Sequence, residues 1–171
     1  MSPAARRIDP MITELEHESA ATKRLLESVP ADKLEWRPHP KSMTLGQLAN
    51  HLAGIPGNIS RFLEVDEFDA ATVSFTPPQP TARDEILRNF EESLATARSR
   101  MNELDDTRAG GPFRFHRGGV EIFTIPKEAV MRNMLLNHTY HHRGQLTVYL
   151  RLLEIPVPAT YGRSADVNPF G

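Results

Sequence analysis

The sequence predicts an all-α protein of four helices with a short β-hairpin between the third and the fourth. Four segments repeat apolar residues at steps of three and four, and proline-rich stretches separate them. One interval, around Gly118-Gly119, alternates instead and gives the hairpin.

The first helix is expected over about residues 8–28, with Ile8, Met11, Ile12, Leu15, Thr22, Leu25 and Leu26 along one side. Glu18 falls within that apolar arc, where it either reaches solvent by its tail or serves a buried site. A connection with Pro30, Pro38 and Pro40 follows, and Trp36 in it is expected to cover one end of the helices.

The second helix, about 44–65, opens on Thr44-Leu45-Gly46-Gln47, a capping box in which Thr44 and Gln47 each satisfy a free backbone N–H. Leu45, Leu48, Leu52, Ile55, Ile59 and Phe62 form its stripe, and Pro56-Gly57 is expected to kink or interrupt it. A long crossover containing Pro77, Pro78 and Pro80 leads to a third helix, about 81–106, with Ile86, Phe90, Leu94, Ala97, Met101 and Leu104 inward.

Gly110-Gly111-Pro112 ends the third helix before the hairpin strands Phe113 to His116 and Val120 to Phe123. Pro126 suits the first turn of a fourth helix over about 126–154. The tail, 155–171, is expected to wrap the helices without forming an element, and the whole chain, 1–171, to make one domain.

Composition narrows the function classes. With no cysteine, thiolate ligands, a cysteine nucleophile and disulfides are excluded, so thiol chemistry would need a thiol from solution. A formal charge of -2 gives no basic face for nucleic acid. No run reaches the length of a membrane span, and no apolar run follows Arg6 and Arg7 as in a secretory signal, so a cytoplasmic protein is expected.

The chemistry concentrates in histidines. His138 and His142 form an H-x-x-x-H pair, and residues four apart share one face of a helix. With about 100° per residue, Met131, Met134, His142, Gln145, Tyr149 and Leu152 lie within about 40° of His138. Arg132, Leu136, Tyr140, Arg143, Arg151 and Glu154 fall on the far side, and Arg143 and Arg151 read as solvated. His51, three residues after Leu48 and four before Ile55, also faces inward.

Three buried imidazoles are costly without a shared partner, and three neutral imidazoles leave an open position on a tetrahedral cation. A hydrogen-bonded core histidine remains the other reading of each taken alone. Thr139 stands where H-E-x-x-H needs glutamate, which disfavours a zincin protease. Gln145 is placed to hydrogen-bond an imidazole or a bound water, and His141 sits at the edge of the stripe. His17 is expected in solvent, while His39 and His116 have no evident partner.

The run from Asn137 to Leu146 (Asn-His-Thr-Tyr-His-His-Arg-Gly-Gln-Leu) resembles the hallmark of the DinB/YfiT-like metalloenzymes, as do Tyr149 to Leu153, Pro156-Val157-Pro158 and Tyr161-Gly162. Ser42 to Leu52 resembles the family's second-helix motif. The resemblance implies an up-down-down-up four-helix bundle, often a homodimer, that binds zinc or nickel through residues matching His51, His138 and His142. His141 matches an intervening histidine that is not usually a ligand. Some relatives are thiol-dependent transferases or isomerases that use mycothiol, bacillithiol or glutathione.

Three functions follow as expectations. The first is an enzyme whose metal activates a water or a small-molecule thiol, with His141 or Tyr161 positioning a small-molecule substrate. The second is a metal-dependent hydrolase, favoured if Glu18 lies near the metal as general base. The third is a non-catalytic, stress-associated metal-binding dimer. The apolar alternation of Phe113, Phe115, Val120 and Ile122 hints at a dimer face. The open metal position is expected to face a pocket lined by the fourth helix and by the tail near Tyr161 and Arg163; the other reading has Tyr161 pack the tail onto the bundle and leaves Arg163 in solvent.

Overall fold

The computed structural model describes residues 5–170. The chain's first four residues and Gly171, over which the leader and tail expectations partly run, lie outside the described residues. The long helices are α1 (Asp9–Glu27), α2 (Leu45–Ser60) and α3 (Arg83–Asn102). A three-residue strand, β1 (Glu67–Asp69), lies in the crossover, and a short α4 (Asp106–Gly110) precedes β2 (Pro112–Arg117) and β3 (Val120–Pro126). The last helical run comprises α5 (Lys127–Val130), a π-helical turn (Met131–Leu136) and α6 (Asn137–Leu152).

Side-chain registers give the direction of each helix. Lys23 pairs with Glu91 and Glu16 with Arg98, so α1 and α3 are antiparallel. Asn89 donates to Asn50 and Gly57 N–H to Ser93 Oγ, so α2 and α3 run parallel. His51 meets His138 while Tyr149 reaches Met43, so α2 and α6 are antiparallel. Glu14 meets Arg132 and Glu18 meets Arg143, so α1 and the last run are parallel. The order is up-down-down-up. Parallel neighbours cannot be joined by a tight turn, which is why a long crossover links α2 to α3.

The capping box forms as read: Thr44 Oγ1 accepts from Gln47 N–H at 3.0 Å, and Gln47 Oε1 accepts from Thr44 N–H at 3.0 Å. Contrary to expectation, Pro56-Gly57 does not interrupt α2, which stays helical to Ser60. Here α2 and α3 touch closely, since a Cβ on Gly57 would lie 3.0 Å from Ser93 Cα. The third helix is shorter than its stripe suggested, because Asp105 caps a new turn by accepting from Arg108 N–H at 2.8 Å.

The hairpin turn uses Gly118 at φ 57° and Gly119 at φ 83°, left-handed conformations that glycine adopts without a Cβ penalty. The parallel strand β1 was not anticipated. It pairs Glu67 with Arg114 and Asp69 with His116 in β2, and Asp69 Oδ1 accepts from Gly118 N–H. Phe113 is fully buried and Phe115, Phe123 and Ile125 pack on the core, so the supposed free apolar face reduces to Val120 and Ile122. Those side chains extend from the far side of the same pleat.

The π turn alters the phase of the last helix. Leu136, which a uniform advance puts outward, closes that turn and is 1% exposed. Leu152, which the same advance puts inward, is the last residue of α6 and is 58% exposed. Arg132, Tyr140 and Arg143, on the supposed outer face of that helix, instead lie against α1. Arg132 forks onto Glu14 with two bonds of 2.7 Å, and Tyr140 donates to the same carboxylate at 2.5 Å.

Candidate metal centre

α2 and α6 hold the three histidines. His51 lies one turn along α2 from Leu48 and Ile55, both anchored in the core, so its ring projects toward α6. His138 and His142 stand one turn apart just beyond the π turn, which sets the rotation of α6 against α2. His138 Nε2 is 3.1 Å from His51 Nε2 and 2.5 Å from His142 Nε2. One ring nitrogen from each residue lies within 4.8 Å of both others, and no Asp or Glu joins the group among the described residues.

Gln145 Oε1 lies 2.7 Å from His142 Nδ1. An amide oxygen only accepts, so the bond assigns the proton of the neutral ring to Nδ1 and turns an unprotonated Nε2 to the other imidazoles. Burial pushes His51, His138 and His142 down to about 4, and each is lowered further by a neighbouring imidazole. At neutral pH these are neutral rings whose ring nitrogens converge, with the Nε2 of His142 turned inward as a lone pair. Such an arrangement repels itself unless a proton or a cation lies between the nitrogens.

The donor set fits a divalent metal of the imidazole-loving kind. A tetrahedral zinc sets its nitrogen ligands roughly 3.3 Å apart, as follows from its bond length. The observed 3.1 and 2.5 Å separations are at or inside that spacing.

The group opens on one side into a cleft of about 550 Å³, within the usual size of a small-molecule pocket. His51 and His138 reach its wall, with Phe62, Phe68, Phe115 and Met134 around them and residues 73–78 of the crossover across from them. Buried Lys127 fixes the start of that crossover, donating to Asp66 Oδ1 at 2.8 Å and to Leu63 O at 3.3 Å. The cleft is therefore closed by the crossover and the sheet over the helices that carry the histidines, and among the described residues the tail does not line it. The expectation that Tyr161 and Arg163 line the open side is wrong.

Tyr161 instead docks on the α1 side of the last helix. Its hydroxyl donates to Glu18 Oε2 at 3.0 Å and accepts from Arg143. Arg143, read from sequence as solvated, is 3% exposed and donates to Glu18 Oε2 at 2.6 Å. Glu18 is buried too, so its tail does not reach solvent. The signal was present as a carboxylate within an apolar arc, but its partner is 125 residues away. With both partners on Glu18 Oε2, this carboxylate is committed to Arg143 and Tyr161 and does not join the histidine group.

His141 is exposed beside His142, with ring centroids 4.8 Å apart, and stands outside the cleft wall. Gln145 is likewise exposed rather than in the core, yet makes the imidazole contact read for it. His17 is in solvent, His39 accepts from Lys41 N–H, and His116 sits between Glu67 and Asp69. The Asn50–Asn89 pair, which joins α2 to α3 at the cleft, carried no signal in the sequence.

Known proteins share this architecture. The uncharacterized protein YrdA of Bacillus subtilis (strain 168) is 27% identical over 160 residues, covering 93% of this chain and 90% of YrdA. A DinB-like crystal structure from Bacillus cereus ATCC 10987 superposes with a TM-score of 0.70 at 22% identity, covering 90% of this chain and 97% of that one. The mycothiol-dependent maleylpyruvate isomerase shares the fold more distantly, with a TM-score of 0.51 at 14% identity over 88% of this chain and 64% of that one. The profile of the DinB superfamily matches residues 14–146, which span both α2 and the His138/His142 pair. The chain belongs to the DinB superfamily.

Proposed function

We propose that this protein is a metal-dependent enzyme that holds one divalent transition metal, zinc or nickel, through His51, His138 and His142. The observation that carries the reading is the convergence of three neutral imidazoles at the wall of a cleft. A closed structural site would take a fourth protein ligand, and among the described residues no further His, Asp or Glu joins the group.

A divalent cation at such a site supplies Lewis acidity, lowering the pKa of a water or thiol in its open position. The chain's own residues do the rest. Gln145 holds His142 in the tautomer that offers Nε2, and the π turn and the α2–α3 contact fix the facing helices. Aromatic side chains limit water on the cleft side.

Between water and thiol, the thiol is favoured. Glu18, the carboxylate that would have served hydrolysis as general base, is held by Arg143 and Tyr161. The chain has no cysteine, so a thiol would enter as a cosubstrate, and a mycothiol-dependent isomerase shares the fold. The reaction class is then transfer or isomerisation with a low-molecular-weight thiol. A homodimer would cover Val120 and Ile122, which are 71% and 55% exposed.

The test is spectroscopic. Cobalt-loaded protein is titrated with glutathione, and a sulfur-to-metal charge-transfer band is expected. Absence of that band with glutathione, mycothiol and bacillithiol, with water still exchanging at the metal, rejects the thiol reading in favour of hydrolysis.

A further inference from the structure

The cleft beside the histidines carries one formal charge, and that charge is positive. Arg61 lines it, while among the described residues no Asp or Glu does. The guanidinium lies 5.3 Å from the ring centroid of Phe68 and 5.6 Å from that of Phe62, so the aromatic wall holds it in place. Among the described residues no carboxylate pairs with it. Its neighbours Arg100, Arg108 and Arg114 are by contrast each committed, to Glu64, to Leu63 O and to Glu67.

The wall itself is a continuous aromatic surface. Phe62 and Phe68 lie with centroids 4.8 Å apart, Phe68 stacks on Phe115 at 5.7 Å, and Phe115 stacks on Phe123 at 5.1 Å. Across the mouth, Phe75 of the crossover is 63% exposed, an unusual place for a phenylalanine with nothing to cover. A fork of free N–H donors above an apolar platform matches a ligand with a carboxylate at one end and a flat apolar body.

We infer that the cleft takes a small organic carboxylate with an aromatic or otherwise apolar body, its carboxylate on Arg61 and its body on Phe62, Phe68 and Phe115. This rests on the reading of the histidine group as the reactive end of the same cleft. It names the substrate class that reading leaves open. Phe75 closes over the bound body, and the carboxylate sets which end of the molecule approaches the histidines.

The probes are 4-phenylbutyrate and its uncharged amide, titrated by calorimetry into the full chain, once zinc-loaded and once treated with chelator. The acid is expected to bind about tenfold more tightly than the amide in both metal states, the yield of one charge-assisted bond. Arg61→Gln is expected to abolish the preference, and Arg61→Lys to keep part of it. Arg61 is exposed, so both variants should fold, and a melting curve checks this. A preference that survives in Arg61→Gln overturns the inference. So does a preference confined to zinc-loaded protein, which would put the carboxylate on the metal, or no saturable binding of either probe. If the chain takes up no zinc, the metal reading fails by itself, while the chelator-treated arm still scores the cleft.

Discussion

His142 Nδ1 and Gln145 Oε1 are 2.7 Å apart, and this contact decides which nitrogen His142 offers to its neighbours. Both residues lie on α6, three apart, so the helix itself supplies the geometry. Gln145→Leu should therefore lower zinc affinity about 10- to 100-fold, the usual loss when a ligand's outer partner is removed. Gln145→Glu keeps the acceptor and should retain affinity. Competition against a chromophoric chelator reads both, and an unchanged Gln145→Leu would remove the tautomer argument.

Arg143 and Glu18 form a buried ion pair with Tyr161 above it. Removing only the cation strands a carboxylate, so Arg143→Met should cost about 3–5 kcal/mol in urea unfolding. Replacing both, as Glu18→Leu with Arg143→Met, should recover most of that loss. Tyr161→Phe should cost about 1 kcal/mol through its lost hydrogen bond.

Gly57 faces Ser93 where α2 and α3 touch, and an added Cβ would lie 3.0 Å from Ser93 Cα and Oγ. Gly57→Ala should destabilise by about 1–3 kcal/mol, as overpacking does. A more stable variant would mean that the helices part freely there.

The histidines give the metal-free protein a pH dependence with a definite sign. In the folded chain they stay neutral until the pH falls to about 4, whereas an unfolded imidazole takes its proton near 6.5. Between these values the unfolded state binds more protons, so stability is full above about 6.5 and falls as the pH drops toward 4. Melting temperatures in chelator should decline across this window, and His51→Leu should flatten the slope. A flat profile in the parent would show that the rings are not held neutral.

Much of this site is legible in the sequence because it is local. The four-residue step of His138 and His142, the apolar neighbours of His51 and the capping box at Thr44 each sit within two helical turns. What could not be read depends on distant partners. Arg143 looks solvent-bound alone and Glu18 shows no partner near it in sequence, and they become a pair only because α1 and the last helix run parallel. Strand β1 has three residues and exists through its register with β2. The π turn breaks the uniform phase of the last helix at Leu136. Tyr161 was assigned to the cleft because the tail follows α6 in sequence, but the crossover occupies that side.

A single metal held by His51, His138 and His142 would be read directly by zinc-edge X-ray absorption on protein loaded with one equivalent. Three imidazole nitrogens at about 2.0–2.1 Å plus one light non-imidazole ligand are expected, with one imidazole lost in His142→Ala. A spectrum with fewer than three imidazoles, or one unchanged in His142→Ala, would contradict it.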